Sequence, residues 1–197
     1  AALGADLVLT PAADGMAGAV RKAQELLAEA PQHFYLPDQF SNPSNPLIHE
    51  RTTGPEIHAQ TDGQVAAVVA AAGTGGTVVG IGRYFRSISS HAQIVAVEPT
   101  ESPLLAQRKA GLPCMPGLHG IQGIGANFVP KIIDFSVIDR IEAVSTLEAL
   151  EVARRLSREE GLLSGISSGA AVAAALRLAN EDAYAHQVIV TILPDSG

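Results

Sequence analysis

From Gln64 to Ala72 the chain runs almost without interruption through valine and alanine, the pattern of a parallel strand buried on both faces. Ile94–Glu98 and Val188–Leu193 repeat it. Between the first two runs lie a glycine-rich turn and a helical stretch to about Ser89, which together make a βαβ unit. Helical periodicity places Met16, Val20, Ala23, Leu26 and Leu27 on one face of a helix from Asp14 to Ala30. Further helices are predicted from about Pro46 to Gln60, from a Ser145 cap through Arg158 to a stop at Gly161, and from a Ser167 cap to about Asn180. The shorter runs Leu7–Thr10 and Phe34–Leu36 predict two more strands, and Ala1–Gly4 reads as the tail of a helix. Strands alternating with helices define an α/β fold, a mostly parallel sheet flanked by helices.

Two segments interrupt this alternation. Asn42-Pro-Ser-Asn-Pro46 is a turn cluster, because its prolines remove backbone donors, and it marks a boundary between residues 1–42 and 43–197. Thr100–Lys131 reads as a long loop rich in proline and glycine, a length that usually signals function in a compact domain.

Composition narrows the function classes. Among 197 residues, 13 basic side chains face 20 acidic ones, for a net charge of −7. That balance argues against a phosphate-backbone surface and hence against nucleic acid. The apolar runs are shorter than the ~20 residues needed to span a bilayer, so no membrane association is expected. Cys114 is the single cysteine, which suits a reducing compartment and predicts a cytoplasmic protein. The chain opens at Ala1 rather than methionine, and it reads as lacking an N-terminal part.

Gly73-Thr-Gly-Gly-Thr77 lies between a buried strand and a helix, where free N–H groups and the positive helix end make an anion site. Its glycines admit close backbone approach, and the hydroxyls of Thr74 and Thr77 can add donors; a tight turn without ligand is the alternative. A dinucleotide fingerprint fails at Val78 and Phe85, and no lysine completes a Walker loop, so a phosphate monoester fits best. Ser167, in Gly165-Ile-Ser-Ser-Gly169, caps its helix or points a hydroxyl into the same cleft, or does both. That segment also matches the letters of a hydrolase nucleophile elbow, without a confident strand before it. Gly123 and Gly125 permit close approach to a ligand, and Gln39 can donate to a carboxylate. His49-Glu50 lacks the second histidine of a zinc protease, since residue 53 is Thr53, and no metal site is expected.

Together Asp38–Pro46, Thr52–Ile57, Gly73–Thr77, Val97–Pro99, Gly120–Gly125, Gly165–Ala171 and Ile192–Gly197 resemble the cysteine synthase (O-acetylserine sulfhydrylase) family of fold type II pyridoxal-phosphate enzymes. The likeness runs over nearly the whole chain. It implies that residues 43–197 are most of the large cofactor-binding domain and 1–42 a remnant of the small mobile one. It also implies that Gly73, Thr74, Gly75, Gly76 and Thr77 cradle the phosphate of pyridoxal 5′-phosphate. Ser167 would hydrogen-bond the pyridine nitrogen, and Gln39 and Gly123 would line the substrate side. A neutral hydroxyl can bond an unprotonated ring nitrogen without forcing charge onto it. The implied reaction is β-replacement, in which acetate leaves O-acetylserine and sulfide takes its place to give cysteine. The implied partners are a second copy in a homodimer and the serine acetyltransferase tail.

The family's Schiff-base lysine and carboxylate-binding loop precede the segment matched by Ala1–Pro11, and neither is present. Lys22, Lys109 and Lys131 do not substitute, so no catalytic residue is assigned within the chain, and this fragment is expected to be inactive alone. Three alternatives stay open. Leu193-Pro-Asp-Ser196 resembles cystathionine β-synthase; a family member without the lysine can serve as a regulatory partner; and Glu98, at the end of a βαβ strand, can hold a ribose in a nucleotide-dependent oxidoreductase.

Overall fold

The computed structural model describes residues 3–195. Its chain divides into two compact units, Ala1–Asp38 and Gln39–Gly197.

In the first unit, a 3-10 turn at Ala12–Asp14 leads into α1, Gly15–Glu29. Asp14 precedes the helix without capping it; its carboxylate pairs with Arg21 at 2.8 Å. Of the predicted apolar face, Val20, Ala23, Leu26 and Leu27 are half-buried, whereas Met16 is exposed. The expected strands Leu7–Thr10 and Phe34–Leu36 do not form. Leu7, Leu9 and Tyr35 are exposed, and a short apolar run without a neighbouring ladder has nothing to fix it as a strand. The predicted helix tail at the chain start falls partly outside the described residues, and Leu3 and Gly4 are in a turn and a bend.

The second unit is built on four parallel strands, β1 (Val65–Ala71), β2 (Gln93–Pro99), β3 (Arg140–Val144) and β4 (Val188–Thr191), in the order β3-β2-β1-β4. Side chains alternate across each strand and so divide the core in two. Val68 and Ala70 of β1 join Ile94 and Ala96 of β2 on one face, packed against Val78, Ile81 and Phe85 of α4, Gly76–Ser87. Ala67 and Val69, with Val95 and Val97, face Ala149 and Val152 of α6 (Thr146–Glu159) and Ala170, Ala173 and Ala174 of α7 (Ile166–Ala179). The run of small residues from Gly169 to Ala175 brings α7 against α6: a Cβ at Gly169 would overlap the Ala149 carbonyl.

The chain steps outward from β1 to β2 to β3 and then returns to the other side of β1 with β4. That reversal is a switch point, where loops leaving the carboxyl ends of the strands diverge and open a crevice. The segment after β1 begins at Gly73, and the one after β4 runs from Ile192 to Asp195.

Several expectations change in detail. The single helix expected from Pro46 to Gln60 is two, α2 (Ser44–Arg51) and α3 (Thr53–Gln60). The Thr52 hydroxyl bonds the Ile48 carbonyl at 2.8 Å where they part. Pro46 is tolerated in the first turn of α2, where N–H groups have no helical acceptor. The long loop holds a short helix, α5 (Leu104–Lys109), and β3 was not foreseen: Arg140-Ile-Glu-Ala-Val144 lacks a continuous apolar run because only Val144 is fully buried. Ser145 caps α6 as expected, its Oγ accepting from the Glu148 N–H at 3.2 Å. At α7 the cap position is Gly165, so Ser167 lies inside the first turn and its hydroxyl serves another partner. Gln39–Asn42 belongs to the second unit, tied by the Ile132 N–H to the Phe40 carbonyl at 3.3 Å and by a Phe40–Phe128 ring contact at 5.0 Å.

Helix α4 lies so close to α2 that a Cβ at Gly80 would overlap the Pro46 carbonyl and come within 2.6 Å of His49 Cβ. Gly80→Ala gains about 1 kcal/mol in helix propensity but forces overpacking against backbone, a cost of about 1–3 kcal/mol. The net expectation is a loss of stability, read as a lower urea midpoint at an unchanged slope.

A candidate phosphate and cofactor site at the sheet switch point

The loop after β1 is shaped by what cannot fit beside it. Gly75 adopts φ +85°, the left-handed conformation glycine accepts most readily, and precedes the first turn of α4. A Cβ at Gly73 would overlap the Gly123 carbonyl, and one at Gly76 would overlap Asn45 Oδ1. The Gly125 N–H bonds the Ala72 carbonyl at 3.1 Å, so the long loop is stitched to the end of β1. Gly123 itself, at φ +95°, faces Ser167: a Cβ there would sit 3.8 Å from the Ser167 hydroxyl oxygen. The structure thus brings Gly73–Thr77, Gly123 and Ser167 together.

Gln39 is exposed, and its place at the site is held by its backbone. Asn45 Nδ2 donates both to the Gln39 carbonyl at 2.8 Å and to Thr74 Oγ1 at 3.0 Å. Thr74 Oγ1 also accepts from the Gly76 N–H at 3.2 Å. Two accepted bonds leave the hydroxyl proton of Thr74 to be donated outward, as an anion site needs. Thr77 is held by His49, whose ring lies 2.9 Å from Thr53 Oγ1 through Nδ1 and 3.2 Å from Thr77 Oγ1 through Nε2. Burial lowers the pKa of His49, favouring a neutral ring that donates at one nitrogen and accepts at the other.

On the far side of the crevice, Asp195 accepts from the Gly165 N–H at 2.9 Å, from Ser168 Oγ at 2.6 Å and from Ser167 Oγ at 3.2 Å. Sequence pattern assigns no site role to Asn45, His49 or Asp195. Asn45 lies in the Asn42–Pro46 turn cluster, whose prolines dominate its pattern, and the signal for Asp195 is its place in Ile192–Gly197, of which Ser196 and Gly197 lie outside the described residues.

Glu98 is 2% exposed, and its carboxylate accepts the N–H groups of Leu105 at 2.7 Å and Ala106 at 2.9 Å. Burial raises its pKa against those two bonds. It holds the start of α5 and is committed there, which removes the ribose-binding alternative. Lys22 pairs with Glu25 on α1, and Lys109 donates to the carbonyls of Ile138 and Asp139 at 2.6 and 2.9 Å. Lys131 is exposed in a groove with Arg83, Asp134 and Pro43.

A helix N-terminus opened by glycines, with two threonine hydroxyls, suits a phosphate dianion, and a buried serine hydroxyl across the crevice suits a heteroaromatic nitrogen. The donor set fits pyridoxal phosphate. The family described as pyridoxal-phosphate dependent enzyme matches residues 1–195, and the chain belongs to it. Over its full length it is 52% identical to cysteine synthase A of Escherichia coli K12, and over 98% of its length it is 53% identical to cysteine synthase of Haemophilus influenzae. Those alignments cover 61% and 62% of the relatives, so the chain spans under two thirds of the curated proteins it matches. Its fold superposes on the crystal structure of cysteine synthase from Entamoeba histolytica with a TM-score of 0.90, at 38% identity, covering all of this chain and 56% of that one.

Two outcomes follow for the loop. Gly76→Asp displaces Asn45 from Gln39 and Thr74, at about 0.5–1.5 kcal/mol per bond, and sets a carboxylate beside the phosphate position. Affinity for pyridoxal phosphate should fall at least about tenfold, read by absorbance titration, while circular dichroism shows the fold retained. For His49 the folded pKa lies below the unfolded one, so the unfolded chain protonates first and stability drops as pH falls below about 6.5. His49→Gln should shrink the difference in urea midpoint between neutral and mildly acidic buffer.

Proposed function

We propose that this chain forms the phosphate and ring-nitrogen side of a cysteine synthase active site, serving the replacement of acetate in O-acetylserine by sulfide to give cysteine. The observation that carries this reading is the meeting of Gly73, Gly123 and Ser167, three segments far apart in sequence, around one crevice. The relatives named cysteine synthase support it at more than half identity over essentially the whole chain.

In this reading the backbone N–H groups at the start of α4, with Thr74 and Thr77, hold the cofactor phosphate, and Asn45 keeps Thr74 oriented. Ser167 meets the ring nitrogen. Gln39 and Gly123 border the substrate, where a glycine leaves room for the amino acid to lie against the backbone. The cofactor supplies an electron-withdrawing ring that acidifies the substrate's α-proton. The first unit, up to Asp38, acts as part of a small mobile domain, and the second, from Gln39, as most of the large one. A homodimer, a serine acetyltransferase tail as partner, and a cytoplasmic setting complete the proposal; the single cysteine suits the last. Among the described residues no helix is long and apolar enough to cross a membrane. A second reading, chemistry of the cystathionine β-synthase type, draws on Leu193-Pro-Asp195.

Cysteine formation from O-acetylserine and sulfide by the full protein tests the activity. The 197-residue chain alone should show none, because Lys22 and Lys109 are engaged elsewhere and Lys131 lies in a separate groove. After incubation with pyridoxal phosphate and borohydride reduction, peptide mapping should find no stoichiometric lysine adduct. One such adduct accompanied by turnover would overturn the expectation.

A further inference from the structure

One side chain touches both the phosphate loop and the segment that leads to it. The amide nitrogen of Asn45 carries two protons, and both are committed: one goes to the Gln39 carbonyl at 2.8 Å, the other to Thr74 Oγ1 at 3.0 Å. Asparagine suits this place because its amide is a planar double donor, whereas an ionised aspartate only accepts. Gly76 leaves the room for it, since a Cβ there would overlap Asn45 Oδ1. Asn45 itself stands in the first turn of α2, its backbone N–H on the Asn42 carbonyl at 3.1 Å. The next carbonyl after Gln39, that of Phe40, is held from elsewhere, by the Ile132 N–H at 3.3 Å. The Asn45 amide is thus a direct hydrogen-bonded link between the Gln39 backbone and Thr74.

We propose that Asn45 is a positioning residue that couples two subsites: a phosphate on the loop fixes Thr74, Thr74 fixes the Asn45 amide, and the amide fixes the Gln39 backbone that borders the substrate. This rests on the reading that Gly73–Thr77 holds the cofactor phosphate. Thr74 Oγ1 accepts from Asn45 Nδ2 and from the Gly76 N–H at 3.2 Å, so its proton is the one turned to the phosphate, and the phosphate in turn sets the hydroxyl. Because the amide is planar, holding one of its N–H groups sets the direction of the other. Order passes along the link without any change of fold, since each bond costs less entropy once its neighbour is held. By linkage the effect runs both ways, and whatever steadies Gln39 also tightens phosphate binding. A loaded site therefore meets its substrate with the Gln39 wall already in place, and an empty one holds that wall more loosely.

Two dipeptides make the coupling measurable, because Gln39–Phe40 is the one Gln–Phe pair in the sequence and Gly75–Gly76 the one Gly–Gly pair. One sample of the full chain carries ¹³C in the glutamine carbonyls and ¹⁵N in phenylalanine; a second carries both labels in glycine. Each then gives a single carbonyl–nitrogen pair by NMR, followed while inorganic phosphate is added at constant ionic strength. In the wild type the Gly75–Gly76 pair should report arrival at the loop, and the Gln39 carbonyl should shift with the same midpoint. Asn45→Ala keeps the backbone N–H groups of the loop, so the glycine pair should still respond, at about two- to tenfold higher phosphate, while the Gln39 carbonyl no longer follows. Thr74→Val cuts the same link from its other end and should silence the Gln39 carbonyl too, which keeps the test standing if circular dichroism shows Asn45→Ala unfolded. A purely structural role for Asn45 would lower the unfolding midpoint and leave the phosphate response of Gln39 in place. A Gln39 carbonyl that stays still in the wild type while the glycine pair responds, or that still follows phosphate in either folded variant, would overturn the coupling and leave the phosphate site standing. If the glycine pair itself does not respond in the wild type, the loop takes no phosphate, and the reading beneath the proposal fails with it.

Discussion

The contact between the Gly123 carbonyl and the face of Gly73 that lacks a side chain is the constraint on which the site depends. It lets the loop from the far end of the long irregular segment lie directly on the turn after β1, and so places Gly123 beside Ser167. Any side chain at residue 73 would push these backbones apart by the size of a methyl group, a displacement that close-packed interiors do not absorb without cost. The anchor of the Gly125 N–H on the Ala72 carbonyl works to the same end. An otherwise irregular stretch becomes a fixed wall.

Around that contact the charged and polar groups are arranged by burial. Glu98, close to fully buried, is satisfied by two backbone donors of α5 and thereby fixes the start of the segment that ends at the glycine wall. His49 is kept toward its neutral form and spans α3 and α4 through two threonines. Asn45 ties the Gln39 backbone to Thr74. Each residue acts on the phosphate loop by holding a neighbour in place, which is how a binding site is made rigid before its ligand arrives.

The opposite wall follows a different logic. There α7 starts with small residues so that it can press against α6 and the sheet, and its first turn presents Ser167 and Ser168 to one carboxylate. Asp195 completes a helix end that lacks a side-chain cap of its own. The carboxylate that accepts the Gly165 N–H at this helix end also accepts from both serine hydroxyls, so helix packing and the polar side of the crevice are linked at one side chain.

Local pattern was enough for much of this protein. The valine and alanine runs of β1 and β2, the glycine turn between them and the Ser145 cap depend on near neighbours in sequence, and they form as periodicity and capping chemistry require. The Gly73–Thr77 loop was legible for the same reason. Strand β3, half-exposed at the sheet edge, carries no continuous apolar run and is a strand because β2 offers it a ladder. Leu7–Thr10 shows the converse, an apolar run that finds no partner strand in the described sheet. Likewise the roles of Asn45, Glu98 and Asp195 depend on which polar groups arrive beside them, the Thr74 hydroxyl, the Leu105 N–H and the Ser167 hydroxyl, from residues 29, 7 and 28 positions away. Hydrogen bonds across such distances are set by the crossing of strands and helices at the switch point, and only the tertiary structure decides them.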